Sequence, residues 1–416
     1  MRILLLNDDS LPSARGGAAV MVDLLRSAYA RRGHDVTLIT THQNTHQEQH
    51  RTDEVGPIIS LPISPPSRQR HRWIIDQPQI DGQLRGLLEK HRPDVVHAHN
   101  VHQCLTYGSL RVARSFTPRL FLTAHDTFLV SFERVNQEAY LHAAIQEKPF
   151  TMHWWHHALG AGRKYWPPRN AAIRRVLRQT GTTVISISRA LQDFLRANGI
   201  ESPVVIPNGI TIPPAPEKDR TETLRRKWGL NGPTLLCGGR INADKGVLAL
   251  LAAWKLVLRS LPTARLVIVG NTEGLFAHEP DAALKASLCL PGWIPNSSMP
   301  EVYGAADAVA TPSIYLDAFN LVTIEAMAAA KPVIGSVFGG IPEIVVHGKT
   351  GWVADPRDTP ALAEAILAAL EHPVPAQEMG RMGRQRALEL FSIDACAGHY
   401  LSLFETTGNR EAALTG

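Results

Sequence analysis

The chain has 416 residues, of which 44% are hydrophobic and 19% charged, with a net charge of +5. That composition excludes a disordered or fibrous protein, and the length is more than one core serves, so two domains are expected. No uninterrupted apolar run approaches the ~18 residues a membrane helix needs, and Cys104, Cys237, Cys289 and Cys396 show neither pairing nor metal-ligand spacing, which suits a reducing cytoplasm.

Residues 2–6 are one base and a four-residue apolar run and read as a buried strand rather than a signal peptide. A loop with Gly16 and Gly17 leads into a helix whose apolar positions, Val20, Met21, Leu24, Leu25, Ala28 and Tyr29, recur at helical spacing. Gly33 ends it, and residues 36–40 form the next strand, so the chain opens as βαβ with a parallel sheet. The loop is not G-x-G-x-x-G, which argues against NAD. Residues 41–56 are polar and rich in histidine, a surface loop. Residues 94–99 read as a strand ending in histidines, but no Cys or carboxylate completes a metal set around His97, His99 and His102. Residues 119–124 form another strand, ending at His125 and Asp126 where a doubly wound sheet meets its ligand. From 127 to 181 no strand period appears; the stretch holds Phe150, Trp154, Trp155, Tyr165 and Trp166 and then six bases, Arg163, Lys164, Arg169, Arg174, Arg175 and Arg178, with no acid between 161 and 180. Residues 1–210 carry 25 Lys and Arg against 17 Asp and Glu, a surplus of +8, and the remainder 18 against 21, a deficit of 3. Such a basic patch attracts nucleic acid, anionic lipid or a phosphorylated acceptor. A strand at 183–188, a helix at 189–197 and a strand at 204–206 complete this half, and Pro213, Pro214 and Pro216 mark a linker.

The second half restarts the pattern. A strand at 234–237 meets the turn Gly238-Gly239-Arg240, and Asp244-Lys245-Gly246 leads into a helix ending near 261. The strand at 265–269 ends at Gly270. Asn320 is a good N-cap for a helix over 321–330, which Pro332 stops; a strand at 333–337 and the Gly339-Gly340 turn follow. The free N–H groups of Asn320, Leu321 and Val322 make a ready anion site. Asp317 and Glu325, just before the helix and about one turn in, can point at one space. Acids beside a phosphate site suit a ligand that is phosphate at one end and hydroxyl-rich elsewhere, as a nucleotide sugar is. Terminal helices at 360–370, 376–390 and 393–404 carry no chemistry.

The block Asp317, Glu325-Ala326-Met327-Ala328, Pro332-Val333-Ile334 and Gly339-Gly340-Ile341-Pro342-Glu343 resembles the donor-binding signature of glycosyltransferase family 4. Asp317 stands where that family usually has Glu, and Asn320 where it has Gly. Arg240 and Lys245 resemble its phosphate clamp, Pro207-Asn208-Gly209-Ile210 its interdomain joint, and Pro291-Gly292-Trp293-Ile294 the segment whose backbone contacts the base. The resemblance implies the GT-B fold: two doubly wound Rossmann-like α/β domains facing across a cleft. It places the acceptor-side domain at 1–208, the donor domain at 209–395, and a helix and tail at 396–416 that cross back to the first domain.

By the same resemblance the reaction is retaining transfer of a hexose from a UDP- or GDP-sugar to a glycan or lipid-linked glycan. No protein nucleophile, cofactor or metal is expected; the chain has no Asp-x-Asp. Arg240 and Lys245 would hold the diphosphate, Glu325 the ribose, Asp317 the sugar hydroxyls, and His125 would reach the sugar from the first domain. Gly16, Gly17, Gly270, Ile294, Asn320, Leu321 and Val322 complete the donor-binding set. Nucleic acid is not an expected partner; a peripheral contact with the inner face of a membrane is. A nucleotide-sugar epimerase of the same fold and a non-catalytic nucleotide-sugar binder stay open as alternatives.

Overall fold

Runs of four or five apolar residues between polar breaks are too short for helices, and they form the strands of two parallel sheets. The computed structural model describes residues 1–11, 16–43, 47–65, 69–133, 135–273 and 281–415, the last eight by backbone alone. Two compact units result, Met1–Gly209 with Ile393–Gly416, and Ile210–Ser392.

The strands of the first unit are β1 (Arg2–Leu6), β2 (Asp35–His42), β3 (Gln49–Thr52), β4 (Pro57–Pro62), β5 (Val95–Ala98), β6 (Leu120–Ala124), β7 (Thr183–Ser186) and β8 (Val204–Val205). They lie in the order β3-β4-β2-β1-β5-β6-β7-β8. Every pairing is parallel except β3 with β4. Ile3 to Leu6 are buried on both faces, as helix-covered parallel strands must be. The surface loop expected over 41–56 is in part β3. Its residues, Gln-His-Arg-Thr, are all exposed and show no alternation; pairing with β4, not burial, makes them a strand.

The helix Ile393–Thr415 belongs to this unit. Its Phe404 ring packs edge-on to Tyr29 and against Phe121, and the Tyr400 hydroxyl meets Thr123 Oγ1 at 3.0 Å. Among the described residues the stretch 127–181 holds no strand; it folds as helices Gln137–Ile145, Trp154–Ala161 and Arg169–Thr180 around a short turn. Arg169 is not part of a surface basic patch. It is fully buried, its guanidinium lies 4.8 Å from the Phe132 ring centroid, and it donates to the carbonyls of Phe128 and Val130. Those acceptors make burial of the charge tolerable.

The second unit contains β9 (Thr234–Gly238), β10 (Arg265–Val269), β11 (Leu288–Gly292), β12 (Ala308–Thr311), β13 (Val333–Ser336) and β14 (Gly351–Ala354). Their order is β11-β10-β9-β12-β13-β14, parallel throughout. The helix Val247–Ser260 buries Trp254 in the core, and the indole N–H finds Ser287 Oγ at 3.0 Å. The strand order places the C-terminal ends of β9 and β12 side by side, and the connections that leave them build the site.

Candidate functional site

The helix Leu321–Ala328 starts where Asn320 caps it: its Oδ1 accepts from Thr323 N at 3.1 Å. The Asn320 amide nitrogen turns back and donates to Asp317 Oδ2 at 2.9 Å. One asparagine therefore does two tasks that glycine cannot, capping the helix and aiming the acid. Asp317 is 5% exposed, and the same Oδ2 also accepts from Lys245 Nζ at 2.7 Å and Ser313 Oγ at 3.1 Å. No described residue donates to its Oδ1.

Burial disfavours the Lys245 ammonium, yet the Asp317 carboxylate and the nearby Tyr315 oxygen outweigh it, and its pKa stands above the ordinary lysine value. The ammonium also lies 5.1 Å from the centroid of the Tyr315 ring.

Two glycines fix this arrangement. Gly339 has φ +65, and a Cβ there would stand 2.3 Å from the Asp317 carbonyl oxygen, while Gly340 N donates to that oxygen at 2.8 Å. Gly246, after Lys245, has φ +75 and would meet the Pro312 carbonyl. Above the helix start, Gly239 lies 3.4 Å by its Cβ position from Val322, and Gly270 would meet the Gly239 carbonyl at 2.5 Å. The glycine loop after β9 thus lies against the helix N-terminus, where the first-turn amides of Leu321 and Val322 have no acceptor within the helix, and the loop after β10 packs on that glycine loop.

Glu325 has a different partner from those of Asp317. Its Oε2 accepts from the Tyr303 hydroxyl at 2.7 Å. Burial raises its pKa above the usual carboxylate value, and the Tyr303 bond opposes that rise. Arg240 is exposed and makes no hydrogen bond or ion pair with a described residue, but its charge is felt at Tyr315. Ile294 is half-buried just beyond β11, beside Trp293, which is exposed.

The remaining candidates belong to the first unit. Gly16 caps the helix that Gly17 begins, and both are exposed. His125, at the end of β6, meets His99 with Nε2 and Nδ1 2.9 Å apart, the rings stacked. Burial pushes His125 down to about 4 and His97 to about 3. His99, His102, His125 and Asp126 line a cavity of about 10 Å³, the size of one water molecule. Among the described residues no three of His, Cys, Asp and Glu come together as a metal set.

So the structure joins Lys245, Asp317 and Asn320 directly, sets Gly270 and Val322 close by, and places Glu325 in a separate hydrogen bond. Ser313, Tyr315 and Tyr303 were not foreseen. Nothing in their spacing marks them; Ser313 and Tyr315 lie on the loop after β12, and Tyr303 is 22 residues before Glu325. Chemically, the site offers a fixed cation, free amides at a helix N-terminus, and a carboxylate oxygen open to a hydroxyl.

The sequence matches the family described as "Glycosyltransferase Family 4" over residues 15–212 and that described as "Glycosyl transferases group 1" over 220–386. It is 26% identical to a glycogen synthase of Mycobacterium tuberculosis, over 95% of this chain and 92% of that one. It is 30% identical to the alpha-maltose-1-phosphate synthase of Mycolicibacterium smegmatis, over 60% of this chain and 69% of that one. In fold it resembles Anabaena HepE, solved in complex with UDP: TM-score 0.70 and 19% identity, covering 98% of this chain and all of that one.

Proposed function

The chain belongs to glycosyltransferase family 4 and is a glycosyltransferase of GT-B type, and on that premise we propose that it moves a hexose, with retention, from a UDP- or GDP-sugar to a glycan or lipid-linked glycan. The observation that carries this reading is the Asp317 carboxylate, held through Oδ2 by Lys245, Ser313 and Asn320 with Oδ1 left open. An acid fixed in this way beside a phosphate site can take sugar hydroxyls while its cation faces the diphosphate.

In the proposed reaction the anomeric C–O bond breaks and its electron pair goes to the departing diphosphate. Lys245, Arg240 and the amides of Leu321 and Val322 meet that growing charge, and fixed donors of this kind act without reorganising. The acceptor hydroxyl attacks on the face the diphosphate leaves and gives its proton to the departing oxygen. No protein nucleophile and no divalent metal is assigned a part. Glu325 takes the ribose hydroxyls, beside the Tyr303 hydroxyl whose bond favours the ionised carboxylate, and the backbone near Ile294 and Gly270 receives the base and the phosphates. The cytoplasm is the proposed compartment, in keeping with four free cysteines.

Thermal shift with UDP, GDP and their sugars, followed by turnover in excess EDTA, tests the reading. One nucleotide series is expected to raise the melting temperature, and the matching sugar to be consumed with EDTA present. No shift with either nucleotide, or turnover that EDTA abolishes, would overturn it.

A further inference from the structure

The helix Trp154–Ala161 is turned inside out. His157 and Ala161 face the interior, while Trp154, Trp155 and Leu159 are 67%, 44% and 79% exposed. Positions 154, 155, 158 and 159 share one helical face, so these side chains form a single apolar patch and not scattered singletons. The turn Gly162–Lys164 follows at once with Arg163 and Lys164 exposed. Lys164 lies 3.7 Å from Glu133; Arg163 has no ion-pair partner among the described residues. Between Glu147 and Asp193 the sequence holds eight bases and no acid, and all but Arg169 lie outside the core.

We propose that this face docks the protein on an anionic lipid bilayer, with Trp154, Trp155 and Leu159 entering the headgroup region and Arg163 and Lys164 at the phosphates. Indole rings suit that boundary because one edge is apolar and the N–H is polar. Leu159 gains only from an apolar medium. The bases add electrostatic attraction to anionic headgroups.

Two other occupants fit less well. A sugar acceptor stacks on open aromatic faces, but one face of Trp155 is covered by His153 at 4.3 Å and 8°, and Trp154 stands at 87° to Trp155. A second copy of the chain would bring two surfaces with a surplus of bases together. No described helix is long and apolar enough to cross a membrane, so the contact is peripheral. The inference gives the lipid-linked acceptor of the proposed function a place to be met, and it rests on that reading for its purpose alone.

The test is sedimentation of the full chain with vesicles of phosphatidylcholine, with and without phosphatidylglycerol, at low salt. The wild type is expected to sediment with the anionic vesicles and to lose tryptophan fluorescence to lipids brominated in their acyl chains. The variant Trp154→Ser/Trp155→Ser/Leu159→Ser is expected to bind at least about tenfold more weakly, a loss of 1.4 kcal/mol or more, and to keep its thermal shift with nucleotide. The variant Arg163→Glu/Lys164→Glu, which leaves the apolar patch untouched, should lose preference for the anionic vesicles. A wild type that stays in the supernatant, or a triple variant that sediments and is quenched as before, would overturn the proposal. So would a triple variant that binds vesicles normally but loses transfer to a soluble glycan, since the patch would then be the acceptor site. Vesicle binding with no turnover on any donor would leave this face standing and remove the proposed function.

Discussion

Replacing Lys245 by methionine keeps the unbranched apolar stem of the side chain and removes the one cation that the described structure sets within ion-pair distance of Asp317. Asp317 is 5% exposed and would be left with two neutral donors, Ser313 and Asn320, on a single oxygen. Breaking a buried ion pair from one side costs about 3–5 kcal/mol. Because the Lys245 side chain is itself 23% exposed, the low end applies, about 3 kcal/mol, or roughly 6–12 °C in melting temperature for a unit of this size. Adding Asp317→Asn removes the stranded charge, so the double variant is expected to recover most of that loss, to within about 1 kcal/mol of wild type. Activity should not recover: both variants lack the cation proposed to meet the diphosphate, and a single charge-stabilising donor is worth about 10²–10³ in rate. The double-mutant cycle is read twice, by urea unfolding without ligand and by kcat/KM for donor consumption. A single variant within about 0.5 kcal/mol of wild type, well inside the range of an ordinary surface change, would refute the pairing. Near-normal turnover would refute its role.

Gly339→Ala and Gly348→Ala share a left-handed backbone, φ +65 and +74, but a Cβ meets the Asp317 carbonyl in the first and nothing within 4 Å in the second. The first is expected to weaken nucleotide-sugar binding by more than tenfold and the second to cost only about 1 kcal/mol of stability; equal effects in calorimetry with the nucleotide sugar would mean that the Gly339 turn does not position Asp317. Tyr303→Phe removes the bond that lowers the Glu325 pKa, so the acid limb of nucleotide binding should move to higher pH, and an unmoved or opposite limb contradicts the assignment. His97, His71 and His157 are buried with pKa values lowered to about 3, 4 and 4, burial being the main cause in each. Since their folded values lie below the unfolded one of 6.5, only the unfolded chain binds these protons as pH falls from 6.5 toward 4. Each then removes about 1.4 kcal/mol between pH 7.5 and 5.5. Urea unfolding at the two pH values should show that loss, and constant stability would mean that these rings are hydrated.

The central strands could be read in the sequence because burial on both faces leaves uninterrupted apolar runs: β1, β6, β9 and β10 stand within a residue of where their patterns put them. Of the four edge strands only β8 could be read; the other three could not. β3 has no apolar residue, β11 includes Pro291 and Gly292, and β14 begins at Gly351, so their strand character comes from a neighbour's free backbone groups. The same division holds at the site. Lys245, Asp317 and Asn320 stand in a recognisable order, but the contact between Lys245 and Asp317 spans 72 positions and leaves no spacing to find. The Asn320 substitution reads as an intrusion where glycine is usual; in the fold its amide aims Asp317. Arg169 counts as surface charge by composition, and only the ring of Phe132 and two backbone carbonyls explain why it is inside.

The most direct measurement is proton NMR of the first product formed from the donor that raises the melting temperature, with excess EDTA and a panel of alkyl glycoside acceptors. The expected result is release of the nucleoside diphosphate together with a product that keeps the donor's α linkage. A β-linked product, or a donor left unchanged with every acceptor until a divalent metal is restored, would contradict retaining, metal-independent hexosyl transfer at Lys245 and Asp317.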